Sequence, residues 1–186
     1  MDLENISSRD ELIKIIKPTG NGIEIGVQGG NFASHILKHC NNLKLYLLDC
    51  WDNQDDSLYQ DIANHDNETQ VKCMIKTIRN TSNSFKNVRI IKGYSDEFVD
   101  LFKNDFFDFI YIDANHTYEA IKHDINKWFP KIKNGGLFAG HDYFDGVNKN
   151  GVFKVKTAVD EFVKENNLKV YSTKEPNEYK SWFIIK

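Results

Sequence analysis

The sequence predicts an α/β fold: a mostly parallel sheet covered by helices on both faces. Three observations predict it. Short apolar runs alternate with stretches of helical periodicity along the chain, the order of successive strand–helix–strand units. A glycine-rich turn, Gly22-Ile-Glu-Ile-Gly-Val-Gln-Gly-Gly30, joins the first apolar run to an amphipathic stretch, as where a strand feeds a helix past a closely approaching ligand. Two last runs, separated by a turn containing Pro176 and Asn177, read as a hairpin that adds one antiparallel strand.

Taken in order, residues 8–17 form a short amphipathic helix with Ser8 as cap and Glu11 as its capping-box partner. Residues 22–27 are the first strand, and Asn31 caps a helix that buries Phe32, Ile36, Leu37 and Cys40. Residues 45–49 are a buried second strand ending in an acid, and 53–70 are a polar loop with a helical turn. A helix at 71–80 precedes the third strand at 88–93, and a helix at 96–103 precedes the fourth at 107–113. Tyr118, Ile121, Ile125, Trp128, Phe129 and Ile132 recur at helical spacing, with Pro130 near the end of that helix. Asn134-Gly-Gly136 is a turn before a fifth strand at 137–140. Val155, Ala158, Val159, Phe162 and Val163 mark a helix over 155–166, and the final strands fall at 169–173 and 181–185.

With 186 residues, 40% hydrophobic and 13% aromatic, the chain suits a single globular domain over 1–186. A net charge of -3 without a basic run argues against a nucleic-acid partner. The longest apolar runs are far below membrane-spanning length, and the first residues lack a signal-peptide layout. Cys40, Cys50 and Cys73 are an odd number without metal spacing, so a reducing, cytoplasmic setting is expected.

Ligands of open α/β sheets sit outside the carboxyl ends of the strands, and four strands end in chemically useful residues. Glu24 and Gly26 end the first, Asp49 the second, Asp113 the fourth, and His141-Asp142 the fifth. The glycine turn departs from a dinucleotide fingerprint, and no Lys-Ser/Thr pair follows it, which excludes a P-loop. An acid here suits a ligand with an ammonium group and no pyrophosphate, and S-adenosylmethionine is such a ligand. Asp49 lies 23 residues after Gly26, close to the ~20-residue offset at which an acid reaches ribose hydroxyls. Tyr94 and Ser95 either flank the adenine ring or begin a helix at a Ser95 cap; Trp51 either rims the cofactor pocket or caps the core.

Asp113, His141 and Asp142 end adjacent strands and could share one divalent ion, magnesium or, with the histidine, manganese. His116 follows Asp113 by three residues, where it could take a proton from a substrate hydroxyl. His35, His39, His65 and His123 read as solvated, Asp124 as surface charge, and Cys50 as a thiol without a base.

These motifs resemble class I S-adenosylmethionine-dependent methyltransferases, in particular the small methyltransferase-24 branch. They read D-x-x-H-x-Y at Asp113–Tyr118 and G-H-D-Y at Gly140–Tyr143. The resemblance implies a Rossmann-like three-layer sandwich with strand order 3-2-1-4-5-7-6 and strand seven antiparallel. It also implies that Glu24, Gly26 and Gly30 hold the methionine end and Asp49 the ribose. A more distant similarity is to metal-dependent catechol and macrocin-type O-methyltransferases. There the positions of Asp113, His141 and Asp142 bind magnesium, and a lysine stands at His116. The expected activity is O-methylation of a small hydroxylated acceptor such as a sugar or glycan. Metal-independent transfer to an amine or other acceptor and a non-catalytic adenosyl-binding module are the alternatives. The polar segments 53–70 and 145–153 are left to form the rim, unless a homodimer supplies it.

Overall fold

The computed structural model describes residues 2–57 and 59–186; Met1, and Leu58 within the 53–70 segment, lie outside the described residues. Among the described residues, the main sheet is built from β1 (Thr19–Ile25), β2 (Asn42–Asp49), β3 (Val88–Lys92), β4 (Phe107–Ile112) and β5 (Ile132–Gly140). It is completed by β8 (Tyr171–Ser172) and β9 (Trp182–Ile185). The order is β3-β2-β1-β4-β5-β9-β8, with β1 to β5 parallel and β9 antiparallel to both its neighbours. That is the expected 3-2-1-4-5-7-6 arrangement. β4 is buried at every position, as a central parallel strand covered on both faces must be.

Alternation along the strands sends side chains to two separate cores. Leu43, Leu45, Leu47, Phe109 and Tyr111 pack against α2 (Asn31–His39) and the N-terminal segment, which contains α1 (Arg9–Leu12). Ile23, Ile25, Phe107, Ile110 and Ile112 pack against α5 (Tyr118–Trp128) and α6 (Val155–Glu165). No helix of the described residues is long and apolar enough to cross a membrane.

Several boundaries moved for local reasons. α3 spans Asn67–Thr81 because Asp66 caps it, accepting from Thr69 N at 2.7 Å; the apolar pattern alone starts at Val71. The expected helix at 96–103 is one turn, α4 (Ser95–Phe98), followed by a 3-10 turn, and its cap is Tyr94, not Ser95. Residues 134–136 lie inside β5 as an irregular stretch and not before it. The polar segment expected as a loop at 145–153 is a hairpin, β6 (Asp145–Asn148) and β7 (Gly151–Lys154). Its two-residue turn is Lys149-Asn150, so the Asn150-Gly151 pair, a hairpin signal in the sequence, sits one residue past the turn's expected position.

Candidate active site

The strand ends meet at a cavity of about 530 Å³ whose lining includes Gly26, Asp49, Tyr94, Ser95, Asp113 and Asn115. Gly26 is left-handed (φ +84°), and a Cβ there would stand 1.9 Å from the Asp113 carbonyl oxygen. Its lack of a side chain therefore lets β1 and β4 converge as well as opening the pocket wall. Gly30 (φ +69°) is needed for a different contact: a Cβ would meet Thr77 Cα at 2.9 Å, where α3 crosses the start of α2. Gly30 does not line the cavity.

Asp49 organises the glycine turn. One carboxylate oxygen accepts from Val27 N at 2.7 Å and Gln28 N at 2.8 Å, and the other from Trp51 N at 2.8 Å. Carboxylate oxygens keep further acceptor capacity after such bonds, and Asp49 still faces the cavity. Trp51 points the other way. Its ring is 1% exposed, packs in the core and donates Nε1–H to the Gln28 carbonyl. Of the two readings of Trp51, the placement matches the core one.

Glu24 is buried at 2% exposure, and its Oε2 has no hydrogen-bond partner among the described residues. Burial drives its pKa well up; the nearby guanidinium of Arg9 opposes this, while Asp113 and Asp49 add to it. Ser95 Oγ donates to Asp124 Oδ1. Asp124 is not the surface charge expected but 5% exposed and on the cavity wall, with burial pushing its pKa up to about 6 against the Ser95 bond. His123, expected to be solvated without a partner, is exposed but pairs with Asp96 at 2.7 Å.

Around Asp113, imidazoles and carboxylates interleave. His116 is buried with Nδ1 2.9 Å from Asp61 Oδ2 and its ring stacked on Phe153 at 5.0 Å. Its Nε2 is 3.0 Å from Asp142 Oδ2 and 3.6 Å from Asp113 Oδ1. These are ion-pair distances, off the angle of a hydrogen bond. His141 Nδ1 is 3.0 Å from Asp142 Oδ1 and 3.9 Å from Asp113 Oδ1. Asp142 takes up this position with a left-handed backbone, φ +55°, which is uncommon for a residue with a side chain. Burial disfavours charge on His116, but Asp113, Asp142 and Asp61 outweigh it and hold its pKa well above the ordinary value. Burial likewise works to raise Asp113 and Asp142, yet both lie below the usual carboxylate range, through His141, His116 and Arg9 for Asp113 and through the two histidines for Asp142.

Residues 23–143 match the family described as Methyltransferase domain. The chain belongs to that family. No curated protein matches it. Among solved structures, a candidate caffeoyl-CoA O-methyltransferase from Staphylococcus aureus is similar at 16% identity and TM-score 0.67, over 95% of this chain and 80% of that one. A SAM-dependent methyltransferase from Aquifex aeolicus is similar at 14% identity and TM-score 0.63, over 96% and 90%. An O-methyltransferase family protein from Burkholderia thailandensis is similar at 12% identity and TM-score 0.64, over 95% and 55%. This methyltransferase-family chain thus spans about half the length of the last protein. At such identities the likeness concerns the fold.

Two groups of this methyltransferase-family site escaped the sequence reading. Arg9 reaches in from α1, with Nη1 3.1 Å from Asp113 Oδ2 and its guanidinium 4.2 Å from the Phe32 ring centroid. Asp61 arrives from the 53–70 segment, held by a bridge to Gly151 and by Ile62 N donating to the Asn150 carbonyl at 2.8 Å. Neither belongs to a motif, and each lies more than fifty residues from its partner in the chain. Only a cluster of acids around an unpaired histidine could have hinted at Asp61.

The donor set fits the groups the family implies. An unpartnered buried carboxylate oxygen on Glu24 is a ready partner for an ammonium. One ligand atom each from Asp113, His141 and Asp142 lie within 4.8 Å of one another, close enough for one divalent ion.

Proposed function

We propose that this protein is an S-adenosylmethionine-dependent O-methyltransferase acting on a small hydroxylated acceptor such as a sugar or glycan. The observation that carries this reading is the position of Asp113: it lines the cavity and also pairs with His116 and Arg9. A ligand in the cavity therefore ends beside the cluster that can handle a proton.

S-adenosylmethionine, when bound, supplies a sulfonium methyl group; the C–S electron pair leaves with sulfur as the acceptor oxygen forms the C–O bond. The residues do the rest. Glu24 would hold the ammonium, Asp49 the ribose hydroxyls, and the wall at Tyr94, Ser95 and Asp124 the adenine end. Holding donor and acceptor in line is worth ~7–11 kcal/mol in favourable cases.

The hydroxyl proton passes to the cluster around His116. His116 in its neutral form, held between Asp61 and Asp142, would take the proton at Nε2, and the imidazolium so formed would be paired with Asp142 and Asp113. Asp113, His141 and Asp142 would hold a divalent ion, which would lower the pKa of the acceptor hydroxyl.

One observation favours a metal-free version on the same residues: Arg9 and His116 already neutralise the carboxylates that an ion would need. Calorimetry with S-adenosylhomocysteine, with and without magnesium or manganese, tests both. Binding is expected in either case, and absence of binding would end the adenosyl reading. Activity that survives a chelator on an acceptor found by screening would favour the metal-free version.

A further inference from the structure

We propose that Arg9 anchors the carboxylate of the cofactor's amino-acid end, opposite Glu24, which takes the ammonium; this rests on the adenosyl reading above. Arg9 is fixed by its own short segment. Its backbone N–H donates to Glu175 Oε1, and Ser8 Oγ accepts from Glu11 N at 3.2 Å to start the turn that carries it. The guanidinium lies 4.2 Å from the Phe32 centroid and 5.7 Å from that of Tyr111. Phe32 is the second residue of α2, and Tyr111 is the register partner of Glu24 across β1 and β4. Arg9 and Glu24 are therefore set on the same face of the sheet, beside the start of α2.

The two groups are complementary and incompletely used. Glu24 keeps one buried oxygen without a partner, an arrangement that favours a cationic ligand group. Arg9 spends donors on Asp113 and on the Tyr111 hydroxyl, and a guanidinium has five N–H donors in a fixed fork. Gly30, at the cap position of α2, brings no side chain to the amides that open the helix, so a carboxylate there also meets a favourable dipole. Neither residue lines the cavity itself, but Glu24 directly precedes Ile25 and Gly26, and Arg9 pairs with Asp113, all three of which do; the ammonium and carboxylate of one carbon would there meet an acid with a free oxygen and a guanidinium with donors to spare. The competing explanation is that Arg9 serves only as the counter-ion of Asp113.

Calorimetry on Arg9→Gln and Arg9→Lys with two ligands separates these. S-adenosylhomocysteine carries the amino-acid end, and 5′-methylthioadenosine lacks it. The expected result is about 10- to 100-fold weaker binding of S-adenosylhomocysteine to Arg9→Gln, a smaller loss for Arg9→Lys, and unchanged binding of 5′-methylthioadenosine to both. Equal losses for the two ligands, or none for either, would overturn the assignment. Arg9→Lys keeps the charge and most of the stem, so it gives the answer should Arg9→Gln fail to fold. If wild-type protein binds neither ligand, the adenosyl reading falls, and that outcome is distinct from a wild-type protein that binds both while the variants lose nothing.

Discussion

The glycine-turn side of the site and the cluster around Asp113 are made of different contacts. At the β1–β3 end, polar side chains are spent mostly on nearby backbone: Asp49 accepts from three amides, and Glu97 accepts from Tyr94 N. At the β4–β5 end, side chains meet other side chains: Asp61, Arg9, His116, His141, Asp113 and Asp142 balance one another's charge. The first end is fixed by side chains that bond the backbone of their own turns, so each holds its place independently of the others. The second depends on which ions are present, so a single substitution redistributes the pairing of every neighbour.

The largest test of that contrast is His116→Ala. Methyl transfer from labelled cofactor to an acceptor found by screening should fall by about 10²- to 10⁴-fold, while calorimetric affinity for S-adenosylhomocysteine stays unchanged. A parallel loss of affinity would mean that the two ends are not separable. Next comes Asp49→Ala, which removes charge-assisted bonds to three amides. It should cost about 3 kcal/mol or more in denaturant unfolding and abolish cofactor binding; normal stability would show that the glycine turn holds itself.

Asp124→Asn probes the adenine end through pH. The folded pKa of about 6 lies above the ordinary unfolded value of about 3.9. The stability this carboxyl contributes is therefore complete below about pH 4 and lost as pH rises through about 6. At pH 8 Asp124→Asn should be about 2–3 kcal/mol more stable than wild type, with the difference gone near pH 4. Urea midpoints that differ equally at both pH values would assign the effect to packing. The smallest effect is expected for Asp61→Asn, roughly a tenfold loss in kcat with little change in KM. In a His116→Ala background the same change should cost nothing more; a further loss would give Asp61 a role apart from His116.

The difference between the ends also explains what was legible. Gly26, Asp49 and the strand-end acids stand in short segments whose spacing reflects one strand feeding one helix, so a linear pattern exposes them. Asp124 misled because its position is off the apolar stripe of α5, and the sequence does not reveal that α4 covers it through Ser95. The 145–154 hairpin was read as a polar loop because its Asn150-Gly151 signal is offset by one residue from the turn, yet it buries Phe153 against His116.

By itself the sequence determined the alternation of strands and helices, the two buried faces and the strand ends at which chemistry can occur; the strand order came with the family resemblance. The first three follow from side-chain periodicity, which any chain displays along its own length. The tertiary structure alone decided the charge state of the site. Arg9 and Asp61 reach Asp113 and His116 from segments 104 and 55 residues away, and electrostatic coupling depends on distance in space, which residue spacing along the chain does not encode.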